Sequence, residues 1–92
     1  MIKVIGHDLW RGGQKIGWAE ENHVFAHDGK KLGYFSENHV FDVTGRKLAY
    51  VEGDHLYADG SSRVSLETIN ENIVGGVLPE MAKCAIYVLL GD

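Results

Sequence analysis

Cysteine is almost absent from this chain: Cys84 is the only one. A lone cysteine excludes an intrachain disulfide framework. An excess of basic charge is absent too. Nine Lys and Arg face thirteen Asp and Glu, a net charge of −4 with a pI near 5.6. Affinity for nucleic acid comes mainly from clustered Lys and Arg, so no nucleic-acid polymer is expected as a partner. Long apolar runs are missing: the longest, Cys84-Ala-Ile-Tyr-Val-Leu-Leu90, is far too short to span a bilayer, and no membrane association is expected. The segment Met1 to Asp8 has one Lys and no apolar core of a signal peptide, so the expected location is cytoplasmic. Motifs of catalysis are also wanting. There is no phosphate loop, nucleophile elbow or metal-hydrolase signature. Cys84 sits in an apolar tail, where a thiol is ordinarily inert packing. The sequence therefore predicts neither an enzyme nor a bound cofactor.

What is present is repetition. With 45% hydrophobic and 24% charged residues the chain reads as globular, and residues 1–92 read as one domain. Glu-Asn-His-Val-Phe at 21–25 returns at 37–41, and Gly-Asp-His-Leu-Tyr at 53–57 is a looser copy. A second segment recurs with the same spacing of sixteen: Lys15-Ile-Gly-Trp18, Lys31-Leu-Gly-Tyr34, Lys47-Leu-Ala-Tyr50 and Arg63-Val-Ser-Leu66. Asp8-Leu9-Trp10 is a degenerate first copy, one residue out of register.

Sixteen residues suit two short strands and two tight turns. Turns are expected at Glu21-Asn22, Glu37-Asn38 and Gly53-Asp54, and again at Asp28-Gly29, Thr44-Gly45 and Gly60-Ser61, because Asn, Asp and Gly tolerate positive φ. The prediction is a mostly β chain: an antiparallel meander of four hairpin repeats over residues 1–66. Closure with pseudo-four-fold symmetry is expected, and an open stacked array is the alternative.

Turn positions set the pairing. Trp18 should face Phe25, Tyr34 should face Phe41, and Tyr50 should face Tyr57; Phe25 should lie opposite Leu32 and His23 opposite Tyr34. One face then carries Ile or Leu, two aromatics and His per unit, and reads as the main core. The other carries Gly17, Gly33 and Ala49 with Val24, Val40 and Leu56. Glycine inside a strand signals that something packs close to the backbone.

The tail, residues 67–92, differs in kind. It reads as a short helix followed, after Gly75-Gly76, by an apolar helix at about 79–90, with Pro79 at its start and Gly91 past its end. A final strand is the rival reading, since Ile86-Tyr87-Val88 favours β. A helix apolar around most of its circumference must be buried or dock on a partner. Met81, Ala85, Ile86 and Leu89 are the expected interface to a second copy or another protein.

Gly29 to Tyr34 with Glu37 to Phe41, and Gly45 to Tyr50 with Gly53 to Tyr57, carry a Gly-x-Lys-Leu-Gly/Ala-aromatic pattern, then acid or Gly, Asn or Asp, His, Val or Leu, and an aromatic. This resembles the bacterial four-fold β-flower family over about residues 13–66. The resemblance implies β-hairpin petals around a pseudo-four-fold axis, and it implies no activity.

Two residue series are candidate sites. His23, His39 and His55 are equivalent, and convergence would make a transition-metal site; the plainer reading packs each ring on its neighbour. Lys15, Lys31, Lys47 and Arg63 recur at one end of the first strands, with Trp18, Tyr34 and Tyr50 beside them. Glu20, Glu21, Glu37 and Glu52 lie about 17 Å away at strand rise. A basic rim with aromatic faces could hold a small anion such as a nucleotide or sugar phosphate; solvated cross-strand charge pairs are the plainer reading. The leading functional expectation is a non-catalytic interaction or self-assembly module, with the small-anion binder as the alternative.

Overall fold

Short alternating segments punctuated by Gly, Asn and Asp make short strands and tight turns. A computed structural model describes residues 1–58 and 62–91. Its strands are β1 (Ile2–Ile5), β2 (Asp8–Arg11), β3 (Gln14–Glu20), β4 (His23–Ala26), β5 (Lys31–Ser36), β6 (His39–Asp42), β7 (Lys47–Glu52), β8 (His55–Ala58), β9 (Arg63–Ser65) and β10 (Ile73–Val74). Helix α1 (Leu66–Asn72) precedes β10, and α2 (Glu80–Leu90) follows it. The sheet order is β10-β1-β2-β3-β4-β5-β6-β7-β8-β9. Strands β1 to β9 form an antiparallel meander, and β10 joins β1 in parallel through Ile2↔Ile73.

The expected turn at Gly60-Ser61 lies outside the described residues. The other named turns form. The first loop residues Glu21 and Glu37 adopt left-handed φ of 53° and 52°, matching Gly53 at 63°. The repeated asparagines hold units together: Asn22 Nδ2 donates to the Phe35 carbonyl and Asn38 Nδ2 to the Val51 carbonyl, each at 2.9 Å, while Phe35 and Val51 N–H donate back to the Asn22 and Asn38 carbonyls. The slip at Asp8-Leu9-Trp10 is a shorter connection. Four residues separate Trp10 from its partner Lys15, whereas five separate Phe25 from Lys31.

The expected closure is not made by strand pairing. Among the described residues no ladder joins β9 to β10. Strand β9 stops because Ser65 caps a helix, its Oγ accepting from the Thr68 N–H at 3.1 Å. Helix α1 then carries the chain to the opposite edge of the sheet. Its seven residues reach only about 10 Å. A flat ten-stranded sheet would hold its edges about 43 Å apart, which exceeds the longest dimension of the molecule, 32 Å. The sheet is therefore curled, and a helix spans the gap that strands were expected to close.

Helix α2 sits against the inner face of this curl. Leu9, Val24, Val40 and Leu56 from alternate strands are buried with Ile69, Ile73, Ala82, Cys84, Ala85 and Ile86. This reverses the expected core. The Gly, Ala and Val face is the inner one, and the aromatic face lies outside. The cause is steric. Leu89 of α2 comes so close that a Cβ on Gly33 would lie 2.9 Å from its Cδ2. Large rings on that side would hold the helix away.

The expected pairing of Phe25 with Leu32 also fails. A bulge between Val24 and Phe25 makes Lys31 the partner of Phe25; the same shift pairs Phe41 with Lys47 and Trp10 with Lys15. The extra residue of each bulge is Ile16, Leu32 or Leu48. Ile16 and Leu32 thereby turn from the outer face to pack against the core.

The tail helices form where expected. Gly91 (φ 82°) ends α2, and Arg11 Nη2 donates to the Leu90 and Gly91 carbonyls at 3.0 and 2.7 Å, satisfying orphan acceptors of the last turn. The expected interface on α2 is corrected, however. Ala85 and Ile86 are completely buried, and Met81 and Leu89 pack on the same core. The curled sheet covers this side of the apolar helix, so Ala85 and Ile86 are core residues of this chain, and Met81 and Leu89 are partly buried against that core.

Candidate functional site

With the inner face consumed by α2, the outer face carries the chemistry. Side chains alternate, so burial of Val24, Val40 and Leu56 turns His23 and Phe25, His39 and Phe41, and His55 and Tyr57 outward. The expected aromatic pairs form. Ring centroids lie 5.1 Å apart in Trp18–Phe25, 4.9 Å in Tyr34–Phe41 and 5.2 Å in Tyr50–Tyr57, with near-parallel planes. Each stack contributes about 0.5–1.5 kcal/mol beyond its buried area.

The histidines join these pairs. His23 lies 6.4 Å from Phe25 and 5.9 Å from Tyr34; His39 lies 6.0 Å from Phe41 and 6.2 Å from Tyr50. His55 lies 6.3 Å from Tyr57 with its ring tilted, and its Nδ1 lies 2.8 Å from an Asp54 carboxylate oxygen. The three imidazoles sit on β4, β6 and β8. Two strand spacings separate each from the next, about 10 Å. Among the described residues no three His, Cys, Asp or Glu side chains gather into a possible metal site. The expected convergence does not occur, because the sheet curls around α2 with the histidines on its outside. They are spacers between aromatic pairs.

The basic series shares this face. Cross-strand pairing orders it into rows that run across the sheet. One row reads Asp8, Trp18, Phe25, Lys31. The next reads Glu20, His23, Tyr34, Phe41, Lys47. The third reads Ser36, His39, Tyr50, Tyr57, Arg63. Each ends in a cation beside a stacked pair. Lys15, ahead of the first row, lies 3.2 Å from Asp8 and 5.5 Å from the Trp18 ring centre. The structure thus brings Lys15 to Trp18, and it places Lys31, Lys47 and Arg63 opposite Phe25, Phe41 and Tyr57.

Phe25, Phe41 and Tyr57 are site residues that the sequence pattern hides, because their apolar face resembles a core. Their signal was the register itself. The bulges make Lys31 and Lys47 the neighbours of Phe25 and Phe41 in the preceding repeat, whereas Arg63 meets Tyr57 without a register shift.

Cys84 is fully buried, and burial together with the Glu80 carboxylate pushes its thiol up to about 11. At neutral pH it is a thiol, a weak nucleophile. Asp42 is held below the usual carboxylate range by the Thr44 hydroxyl and by backbone N–H groups of Arg46 and Thr44. It serves its own turn. No helix of the described residues is long and apolar enough to cross a membrane.

Residues 10–82 match the family described as 4-fold beta flower protein. The match runs past the hairpins through α1 and β10 into the first turn of α2. No curated protein and no solved structure matches the chain.

Proposed function

The chain belongs to the 4-fold beta flower protein family, and we propose that it acts as a non-catalytic interaction module whose outer aromatic face meets a protein partner or a second copy of itself. One observation carries this reading. Three stacked ring pairs, linked by histidines, lie on the outside of the sheet while α2 fills the inside. Aromatic residues flanked by cations supply contact area at low entropic cost, and they are enriched where proteins bind. The proposed setting is the cytoplasm. Native mass spectrometry of untagged protein tests the reading. The expected spectrum contains a dimer or a second polypeptide, lost on replacing Tyr34 and Tyr50 by Ser. A strict monomer at high concentration in sedimentation equilibrium, with no bound polypeptide, would refute it.

A second reading is a binder of small anions. It is favoured by a shallow cleft of about 390 Å³ on the outer face, lined in part by His39, Lys47, Tyr50 and Tyr57. Two of these, Lys47 and Tyr50, belong to the basic and aromatic series expected to hold an anion. Retained small-molecule mass in the same native spectrum would place this reading first, and Lys31→Glu with Lys47→Glu should abolish that retention.

A further inference from the structure

The three rows share an order of pairing but differ in backbone, since a bulge precedes Phe25 and Phe41 and none precedes Tyr57, and they are unequal in charge. The first carries Asp8 at the histidine position and the second Glu20 at its end, whereas the third has Ser36 in the place of Glu20 and no acid along its length. The surroundings differ in the same direction. Beside the first row, Lys15 is already paired with Asp8 at 3.2 Å. Next to the second, Asp42 follows Phe41 in the chain and carries a negative charge. In the third unit Ala58 stands at that place, after Tyr57. Tyr57 also replaces a phenylalanine, so the third stack alone bears two hydroxyls, on Tyr50 and Tyr57. The cleft of about 390 Å³ opens here, and Tyr50 at 41% is the most exposed ring of the three stacks. Glu52 and Asp54 belong to the following row and its turn, where Asp54 is paired with His55.

An acid-free row with two phenolic donors and a terminal Arg63, with Lys47 of the second row lining the same cleft, is what a phosphate group needs: charge to attract it and hydroxyls to fix its oxygens. We propose that the third row is a binding site for small organic phosphates. Lys47 and Arg63 supply the charge, the Tyr50 and Tyr57 hydroxyls donate hydrogen bonds, and the ring attached to the phosphate packs at the exposed edge of Tyr50. The site rests on the small-anion reading above and narrows it to one of the three rows.

The test is a ¹⁵N–¹H NMR titration of the whole chain with inorganic phosphate, adenosine monophosphate and glucose 6-phosphate in parallel. Saturable shifts should concentrate at His39, Lys47, Tyr50, Tyr57 and Arg63. The stronger of the two organic esters identifies whether a base or a sugar is preferred. Tyr57→Phe with Ala58→Asp should weaken binding about tenfold, ~1.4 kcal/mol, while the spectrum stays dispersed. Glu20→Ser with Phe41→Tyr and Asp42→Asn, which keeps the turn's acceptor oxygen, should add a new set of shifts in the second row, a gain that loss of folding cannot mimic. Equal shifts in all three rows of the unmodified chain would overturn the assignment and leave the general small-anion reading standing. No shift at millimolar ligand would overturn both.

Discussion

Gly33 of β5 and Leu89 of α2 touch across the core, at a distance that leaves no room for a side chain on the glycine. A Cβ there would lie 2.9 Å from Leu89 Cδ2 and would meet the Phe41 carbonyl. Gly33→Ala should therefore destabilise the fold by about 1–3 kcal/mol, the range for overpacked cores. Adding Leu89→Ala should recover little, because the carbonyl stays in place and a cavity is created. Ala49 occupies the equivalent strand position, opposite Val40 as Gly33 is opposite Val24, with its own Cβ, so Ala49→Gly should cost less, about 0.5–1 kcal/mol. Urea unfolding of the three variants checks the order. A neutral Gly33→Ala would mean that α2 does not approach β5 as described.

Glu21 and Glu37 hold left-handed backbone at φ 53° and 52°, a conformation that glycine supplies at Gly6 and Gly53 in equivalent turns. A residue with a Cβ is disfavoured there by about 1–2 kcal/mol. Replacing either Glu by Gly should stabilise the chain by about 0.5–1 kcal/mol, after the greater freedom of glycine in the unfolded state is subtracted. The two effects should add, since the turns lie in different units. Thermal melts of Glu21→Gly, Glu37→Gly and the double variant measure this; a lowered melting temperature in either single variant would remove the strain argument.

The parts of the fold legible in the sequence are those that depend on neighbours along the chain. Turn residues and a period of two gave the hairpins and all three stacked pairs, because Glu-Asn or Gly-Asp loops of two residues fix the register locally. Which face became the core was not local. Both faces are apolar, and the choice fell to α2, which needs the side lined by Gly33, Ala49 and Val40. Glycine inside a strand signals close approach and the apolar pattern of α2 signals burial, but nothing along the chain joins the two. The bulges at Leu32 and Leu48 were hidden for another reason. A one-residue shift reverses side-chain direction, and it arises where the ladder meets the turn rather than from the residues of either strand. The edge-bridging role of α1 depends on the curl of the whole sheet. The rows of the candidate site combine residues of successive repeats, the first two through those bulges and the third without one, so no single repeat displays them.

Cys84 gives a prediction with a definite sign. Its thiol is raised from 9.0 to about 11, so the folded state resists ionisation that the unfolded chain undergoes more easily. The stability this contributes is fully present below pH 9 and is lost as the pH rises from 9 toward 11. Alkylation by iodoacetamide at pH 8 should be slow in buffer and fast in denaturant. Cys84→Ala should flatten the alkaline fall of the melting temperature. Rapid alkylation of the folded chain at neutral pH would contradict the burial of this thiol.

The reversal of core and surface can be measured directly. Ile86 is completely buried and Tyr50 is 41% exposed. If α2 is the centre of the core, Ile86→Ala removes packed methyl groups that nothing can replace, at about 2–5 kcal/mol. Tyr50→Ala gives up mainly its stack on Tyr57, worth about 0.5–1.5 kcal/mol, and leaves the interior untouched. A double-mutant cycle of Tyr50 and Tyr57 isolates that stack from the remaining burial of each ring. Should Tyr50→Ala prove the more damaging of the two, the aromatic face would be interior in solution, and with it the proposed interaction face and phosphate site would both lose their access to solvent. The expected order, with Ile86 far ahead, keeps the rings outside and free to bind.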